Sequence, residues 1–131
     1  MTRILLVENE KDQLKRITQT LERNFPDYEI HAVSSLNQAK EKIKELRRVS
    51  LVVADYLLDD GTGYQLLEFC QNHLTDVPII IMTAYGRDEE KEVRAALSFQ
   101  KGAFDFVHKP LDPDELIERI KHALQVAEAL A

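Results

Sequence analysis

The sequence predicts one α/β domain, a five-stranded parallel sheet covered by helices on both faces. Two observations carry that expectation. Five short apolar runs alternate with five stretches whose apolar residues recur at helical spacing, the pattern of repeated strand–helix units. The chain has 131 residues, the size of one ordinary domain, and five such units are too few to close an eight-stranded barrel.

The first run, Ile4-Leu5-Leu6-Val7, is unbroken, as a strand buried on both faces would be, and it ends abruptly at Glu8-Asn9-Glu10. Leu14, Ile17, Leu21 and Phe25 then mark one face of a helix that Pro26-Asp27 stops. Tyr28 to Val33 reads as a second, partly alternating strand. Ser35 is placed to cap a helix carrying Leu36, Ala39, Ile43 and Leu46. The third run, Leu51-Val52-Val53-Ala54, ends in Asp55. Asp60-Gly61-Thr62-Gly63 is turn chemistry, and Leu67, Cys70 and Leu74 follow at helical spacing. Pro78 opens the fourth run, Ile79-Ile80-Ile81-Met82, which ends at Thr83. A charged stretch from Arg87 to Arg94, read as a solvated helical face, leads to Val93, Ala96 and Leu97, and Gly102 breaks it. Phe104 to Val107 is the fifth strand, ending at Lys109-Pro110. Pro113 starts the last helix, through Leu116, Ile120, Leu124 and Ala127.

Composition excludes several classes. With 44% hydrophobic and 31% charged residues, disorder is not expected. Cys70 is the single cysteine, so no internal disulfide forms and a reducing compartment, the cytoplasm, fits. A net charge of −6 disfavours direct nucleic-acid binding. No apolar run approaches the roughly 20 residues of a membrane span, so no membrane partner is expected. Arg3 and its short apolar run meet Glu8, Glu10 and Asp12 at once, which is not a signal peptide. The four histidines show no metal-ligand spacing. Residues 1–131 are read as one domain, with 125–131 a candidate start of a linker to an output domain.

Ligands of open parallel sheets bind beyond the carboxyl ends of the strands. Those ends carry Glu8-Asn9, Asp55, Thr83 and Lys109. Carboxylates and an amide oxygen suit a hard cation such as Mg²⁺. Aspartate can serve as a nucleophile that forms an aspartyl phosphate. A lysine and a hydroxyl can then hold phosphoryl oxygens.

In these residues the chain resembles the receiver domain of bacterial two-component response regulators. The landmarks are Ile4 to Glu10, Asp55 with Asp60-Gly61-Thr62-Gly63, Thr83-Ala84-Tyr85-Gly86, and Gly102-Ala103-Phe104-Asp105-Phe106-Val107-His108-Lys109-Pro110. The last two blocks look most like receivers of nitrogen-regulation-type transcription activators. The resemblance covers nearly the whole chain. It implies a flavodoxin-like (βα)5 fold with strand order 2-1-3-4-5, and phosphoryl transfer from a sensor histidine kinase or phosphotransfer protein to Asp55. Glu8, Asn9, Asp55 and the backbone carbonyl of Leu57 would hold Mg²⁺. Thr83 and Lys109 would bind the phosphoryl group, with Thr83 and Phe106 as the switch. The Lys109-Pro110 bond would be cis. The altered surface would be helix 4, strand 5 and helix 5, also the face of an expected homodimer, and the output would be transcriptional. The domain would assist its own phosphorylation without being a turnover enzyme.

Several positions depart from that pattern. Asn9 stands where the family usually has a second acid, which leaves −2 rather than −3 from Glu8 and Asp55 and implies weaker Mg²⁺ binding. Asp59 replaces a common proline in a loop, with little expected effect on chemistry. The stretch from Gly86 to Gly102 reads about one turn longer than usual, at the partner surface. Leu57 and Tyr85 would flank the phosphoryl group, and a large apolar Leu57 implies a long-lived adduct. Asn9 also keeps a pseudo-receiver in view, the same fold used as a docking module. A flavin site would want a Gly-rich phosphate loop after the first strand, and an aspartate-based phosphatase a second acid at position 57. Neither is present.

Overall fold

The structure, a computed structural model, describes residues 1–84 and 97–131. Five parallel strands form one sheet: β1 (Arg3–Val7), β2 (Glu29–Val33), β3 (Leu51–Asp55), β4 (Ile79–Ala84) and β5 (Asp105–Lys109). Their spatial order is β2-β1-β3-β4-β5, as expected of the flavodoxin-like arrangement. The helices are α1 (Lys11–Asn24), α2 (Leu36–Leu46), α3 (Gly63–His73), the helical residues 97–100 (α4) and α5 (Pro113–Leu130). Tyr85, Gly86, the Arg87 to Arg94 run, Val93 and Ala96 lie outside the described residues, as does the expected extra helical turn.

Alternation along the strands explains the two covered faces. Leu5, Val7, Val52, Ala54, Ile79 and Ile81 point to α2 and α3, which contribute Ala39, Ile43, Leu66 and Cys70. Ile4, Leu6, Leu51, Val53, Ile80 and Met82 point to α1 and α5, which contribute Ile17, Leu21, Leu116 and Ile120. β3 is buried along its whole length, as a central strand with helices above and below must be.

Register sets where the strands end. Val7 pairs with Ala54, Asp55 with Met82, and Ala84 with Lys109. Glu8, Asp55, Thr83 and Lys109 therefore sit on one edge of the sheet. Two strand boundaries differ from the sequence reading. β4 continues through Thr83 to Ala84, and β5 runs from Asp105 to Lys109 rather than Phe104 to Val107. A polar side chain does not interrupt a backbone ladder, so Thr83 and Lys109 pair as strand residues while presenting functional groups.

The segment after Asp55 is more than a turn. Leu57–Leu58 and Gly61–Thr62 pair as a short antiparallel hairpin. Thr62 caps α3, accepting from the Gln65 N–H at 3.2 Å, and the Gln65 side chain accepts from the Thr62 N–H at 2.8 Å. Asp60 caps a different helix. Its carboxylate accepts from the Leu36 and Asn37 N–H groups at 2.8 and 2.9 Å, at the start of α2. Ser35 caps α2 as expected, accepting from the Gln38 N–H at 3.0 Å. α5 opens at Pro113 behind an Asp112 cap and continues through residues 125–130. The Lys109-Pro110 bond is cis.

Candidate functional site

At the carboxyl edge of the sheet, β1, β3 and β5 bring three charges together. Asp55 is 3% exposed, and Glu8, the residue after β1, is fully buried. Lys109 Nζ lies 2.6 Å from Asp55 Oδ1 and also pairs with Glu8 Oε1. One ammonium thus bridges two buried carboxylates. Glu8 is further tethered by the Glu10 N–H, which donates to its Oε2 at 3.0 Å. Glu10 in turn caps α1, accepting from the Asp12 and Gln13 N–H groups.

The electrostatics follow from this packing. Burial raises the Asp55 carboxyl to about 7, and neighbouring Glu8 acts in the same direction, against Lys109. For Glu8, burial also acts upward. Hydrogen bonds from Asp55, the Glu10 N–H and Lys109, together with the ammonium charge, outweigh it and hold the carboxyl below its ordinary value. Near neutral pH the pair therefore tends to share one proton, with Glu8 the charged member.

Asn9 completes the rim. Its backbone N–H donates to Asp55 Oδ2 at 3.4 Å. Its side-chain amide faces both carboxylates in one orientation and Asp59 in the other. With the nitrogen inward it donates to Glu8 Oε2 at 3.2 Å and Asp55 Oδ2 at 2.9 Å. With the nitrogen outward it donates to Asp59 Oδ1 at 3.4 Å, and the amide oxygen faces the carboxylates.

The donor set fits a hard cation, though sparsely. Among the described residues no three His, Cys, Asp or Glu side chains gather as a metal centre. The third oxygen is the Asn9 amide, and three convergent oxygens with one neutral member suit a weakly held Mg²⁺. The Leu57 side chain is 65% exposed, an apolar group facing solvent two residues from Asp55.

Thr83 is 3% exposed and stands one residue beyond the register partner of Asp55. Its hydroxyl donates to the Ala84 carbonyl at 3.5 Å, a contact long enough to hold it weakly. Phe106 is buried in the core on the α2 and α3 side, edge-on to His108 with centroids 5.1 Å apart. It faces inward. Tyr85, expected beside the phosphoryl group, lies outside the described residues. Sequence reasoning missed two charged contacts, one at this edge and one at the opposite end of β5. Asp59 was read as a loop residue with little effect on the chemistry; its carboxylate meets the Asn9 nitrogen in the outward orientation. Asp105, 7% exposed, pairs with Arg119 Nη1 at 2.6 Å and pins β5 to α5. An acid and an arginine 14 residues apart carry no local signal of pairing.

Comparison with known proteins identifies the family and the fold. A family model described as the response regulator receiver domain matches residues 4–121. The methanogenesis regulatory protein FilR1 of Methanothrix harundinacea is 34% identical over 119 residues, 89% of this chain and 26% of that protein. The response regulator SaeR of Staphylococcus aureus is 32% identical over 125 residues, 95% of this chain and 51% of that protein. The chain thus spans about half or less of the length of these relatives. A CheY-like response regulator receiver domain protein from Methanospirillum hungatei superposes with a TM-score of 0.85 at 29% identity, covering 100% of this chain and 99% of that one.

Proposed function

We propose a function from one premise: the chain belongs to the response regulator receiver domain family. Its role is to accept a phosphoryl group on Asp55 within two-component signalling. The observation that carries this reading is the bridge of Lys109 between Asp55, at 2.6 Å, and buried Glu8. An aspartate beside an ammonium and a second carboxylate has charge stabilisation already in place, and it acts as the nucleophile in its ionised form.

In the reaction, an Asp55 carboxylate oxygen attacks phosphorus of a kinase phosphohistidine. The phosphorus–nitrogen bond breaks, imidazole leaves, and an acyl phosphate forms. Lys109 follows the new charge onto a phosphoryl oxygen. Thr83, weakly held where it stands, can turn its hydroxyl to another. Glu8, Asp55, the Asn9 amide oxygen and the Leu57 carbonyl would hold Mg²⁺, which when bound offsets the negative charge gathered at the reacting phosphoryl group. The donor is a sensor histidine kinase or a phosphotransfer protein. The domain turns over no substrate of its own.

The consequence is a population shift at the face of α4, β5 and α5, with Phe106 on β5 and Thr83 on β4 as the moving parts. A transcriptional output and a homodimer through that face extend the same reading. Among the described residues no helix is long and apolar enough to cross a membrane. A cytoplasmic location is part of the same proposed reading.

A second reading, a pseudo-receiver used only for docking, is favoured by one observation. The Asn9 amide can satisfy both carboxylates without any cation. Intact-mass measurement after incubation with acetyl phosphate, with and without Mg²⁺, separates the two. A Mg²⁺-dependent phosphoryl adduct that vanishes in Asp55→Asn is the expected result. Folded wild type with no adduct would favour the docking module.

A further inference from the structure

We propose that Asp59 is a positioning residue for the cation site, holding the Asn9 amide with its nitrogen outward so that its oxygen faces Glu8 and Asp55. The proposal rests on the reading of this pocket as a Mg²⁺ site and adds a residue that touches no cation.

An asparagine amide has an acceptor on one side and two donors on the other, and a half-turn about its last bond exchanges them. Here both orientations have partners. Nitrogen inward, the amide makes two contacts, 3.2 Å to Glu8 and 2.9 Å to Asp55. That state closes the metal-free pocket and offers no oxygen to a cation. Nitrogen outward, the amide oxygen sits at those same distances from two carboxylate oxygens. Acceptors facing acceptors repel unless a cation, or the proton the pair carries near neutral pH, lies between them, and this is the orientation that offers a cation the amide oxygen.

Turning the amide breaks two hydrogen bonds to carboxylates. Asp59 Oδ1, 3.4 Å from the outward nitrogen, supplies a charged acceptor in return. The hairpin explains why it is there. Leu57–Leu58 and Gly61–Thr62 pair back on themselves, which carries Asp59 to the turn, 50 residues along the chain from Asn9 and beside it in space. The pairing needs both residue types. An aspartate at position 9 would need no amide to orient, and a proline at 59 would offer no acceptor.

The test is Mg²⁺ affinity, measured by calorimetry on the whole chain, for wild type, Asp59→Ala and Asp59→Asn, each with Asn9 and with Asn9→Asp. Asp59 is exposed, so both substitutions should fold. Asp59→Ala is expected to weaken binding about fivefold, the scale of one net hydrogen bond. Asp59→Asn keeps an acceptor oxygen and should retain most of the affinity. With Asn9→Asp, where no amide turns, Asp59→Ala should change affinity less than about twofold, as a screened surface charge does. A second readout is the Asn9 side-chain amide resonance. It should move on Mg²⁺ addition in wild type and Asp59→Asn with similar midpoints, and in Asp59→Ala with a midpoint about fivefold higher.

Equal losses in Asp59→Ala and Asp59→Asn, in both backgrounds, would reduce Asp59 to a distant charge and overturn the proposal. Unchanged affinity in Asp59→Ala would do the same, as would a wild type that binds no Mg²⁺. Failure of the phosphoacceptor reading is distinct: it appears as Mg²⁺ binding without an acetyl phosphate adduct, and leaves the amide comparison to decide the role of Asp59.

Discussion

Asp55, the proposed phosphoacceptor, is also the carboxyl most affected by burial at this edge. Its carboxyl, raised to about 7 by burial and by Glu8, stays protonated in the folded metal-free chain where the unfolded chain has already ionised. Between about pH 4, near the ordinary aspartate value, and pH 7, the folded state therefore binds more protons. Stability contributed by this group is greatest at the acid end of that window and is lost as pH rises through 7. Asp55→Asn keeps the shape without the charge. In EDTA it should raise the melting temperature clearly at pH 8 and by less at pH 5. Equal gains at the two pH values would remove charge burial as the cause. Glu8, Asp55 and Lys109 were legible in the sequence because each ends an apolar strand. Asp59 and Asp105 were not, because their partners Asn9 and Arg119 lie on other elements.

At the scale of elements, the stretch between β3 and α3 organises the site. Asp60 accepts two N–H groups at the start of α2, and those N–H groups hold its carboxyl below the ordinary range. Its contribution is present above about pH 4 and lost as pH falls below. Asp60→Ala should lower stability by about 1 kcal/mol, the usual size of a helix cap, in urea unfolding at pH 7, with Mg²⁺ affinity unchanged. Gly63 marks a closer constraint. A Cβ there would stand 2.7 Å from the Asp55 carbonyl oxygen. Gly63→Ala should destabilise by roughly 1–3 kcal/mol through overcrowding, and the same urea curves would reveal it. A neutral result would mean that the start of α3 shifts freely away from β3. The helices α1, α2, α3 and α5 and their apolar faces were readable from spacing alone. The hairpin escaped notice, since two-residue strands have no periodicity to read.

For the whole molecule, the two core layers close both faces of the sheet. Cys70 reports on one of them: it is 2% exposed, and burial pushes its thiol up to about 12. Maleimide labelling at neutral pH should be slow in native buffer and rise along the urea unfolding curve. Labelling at the rate of a free thiol in native buffer would show that the packing of α3 on the sheet opens without unfolding. The net charge of −6 does not reach this layer. Among the described residues its acids are mostly exposed; of the buried ones, Glu8 and Asp55 meet at the carboxyl edge and Asp105 opens β5.

By itself the sequence determined the succession of strands and helices, the burial of the central strands and the residue types at each strand end. These depend on side-chain hydrophobicity within a few residues, where spacing is decisive. Only the tertiary structure decided that Lys109 meets Glu8 from 101 residues away, that Asp60 caps α2 rather than its own neighbours, and that Asn9 lies between two carboxylates and Asp59. Such pairings depend on strand order and register, and their energies on how much water the packed sheet edge excludes. Neither quantity is written in any local stretch of residues.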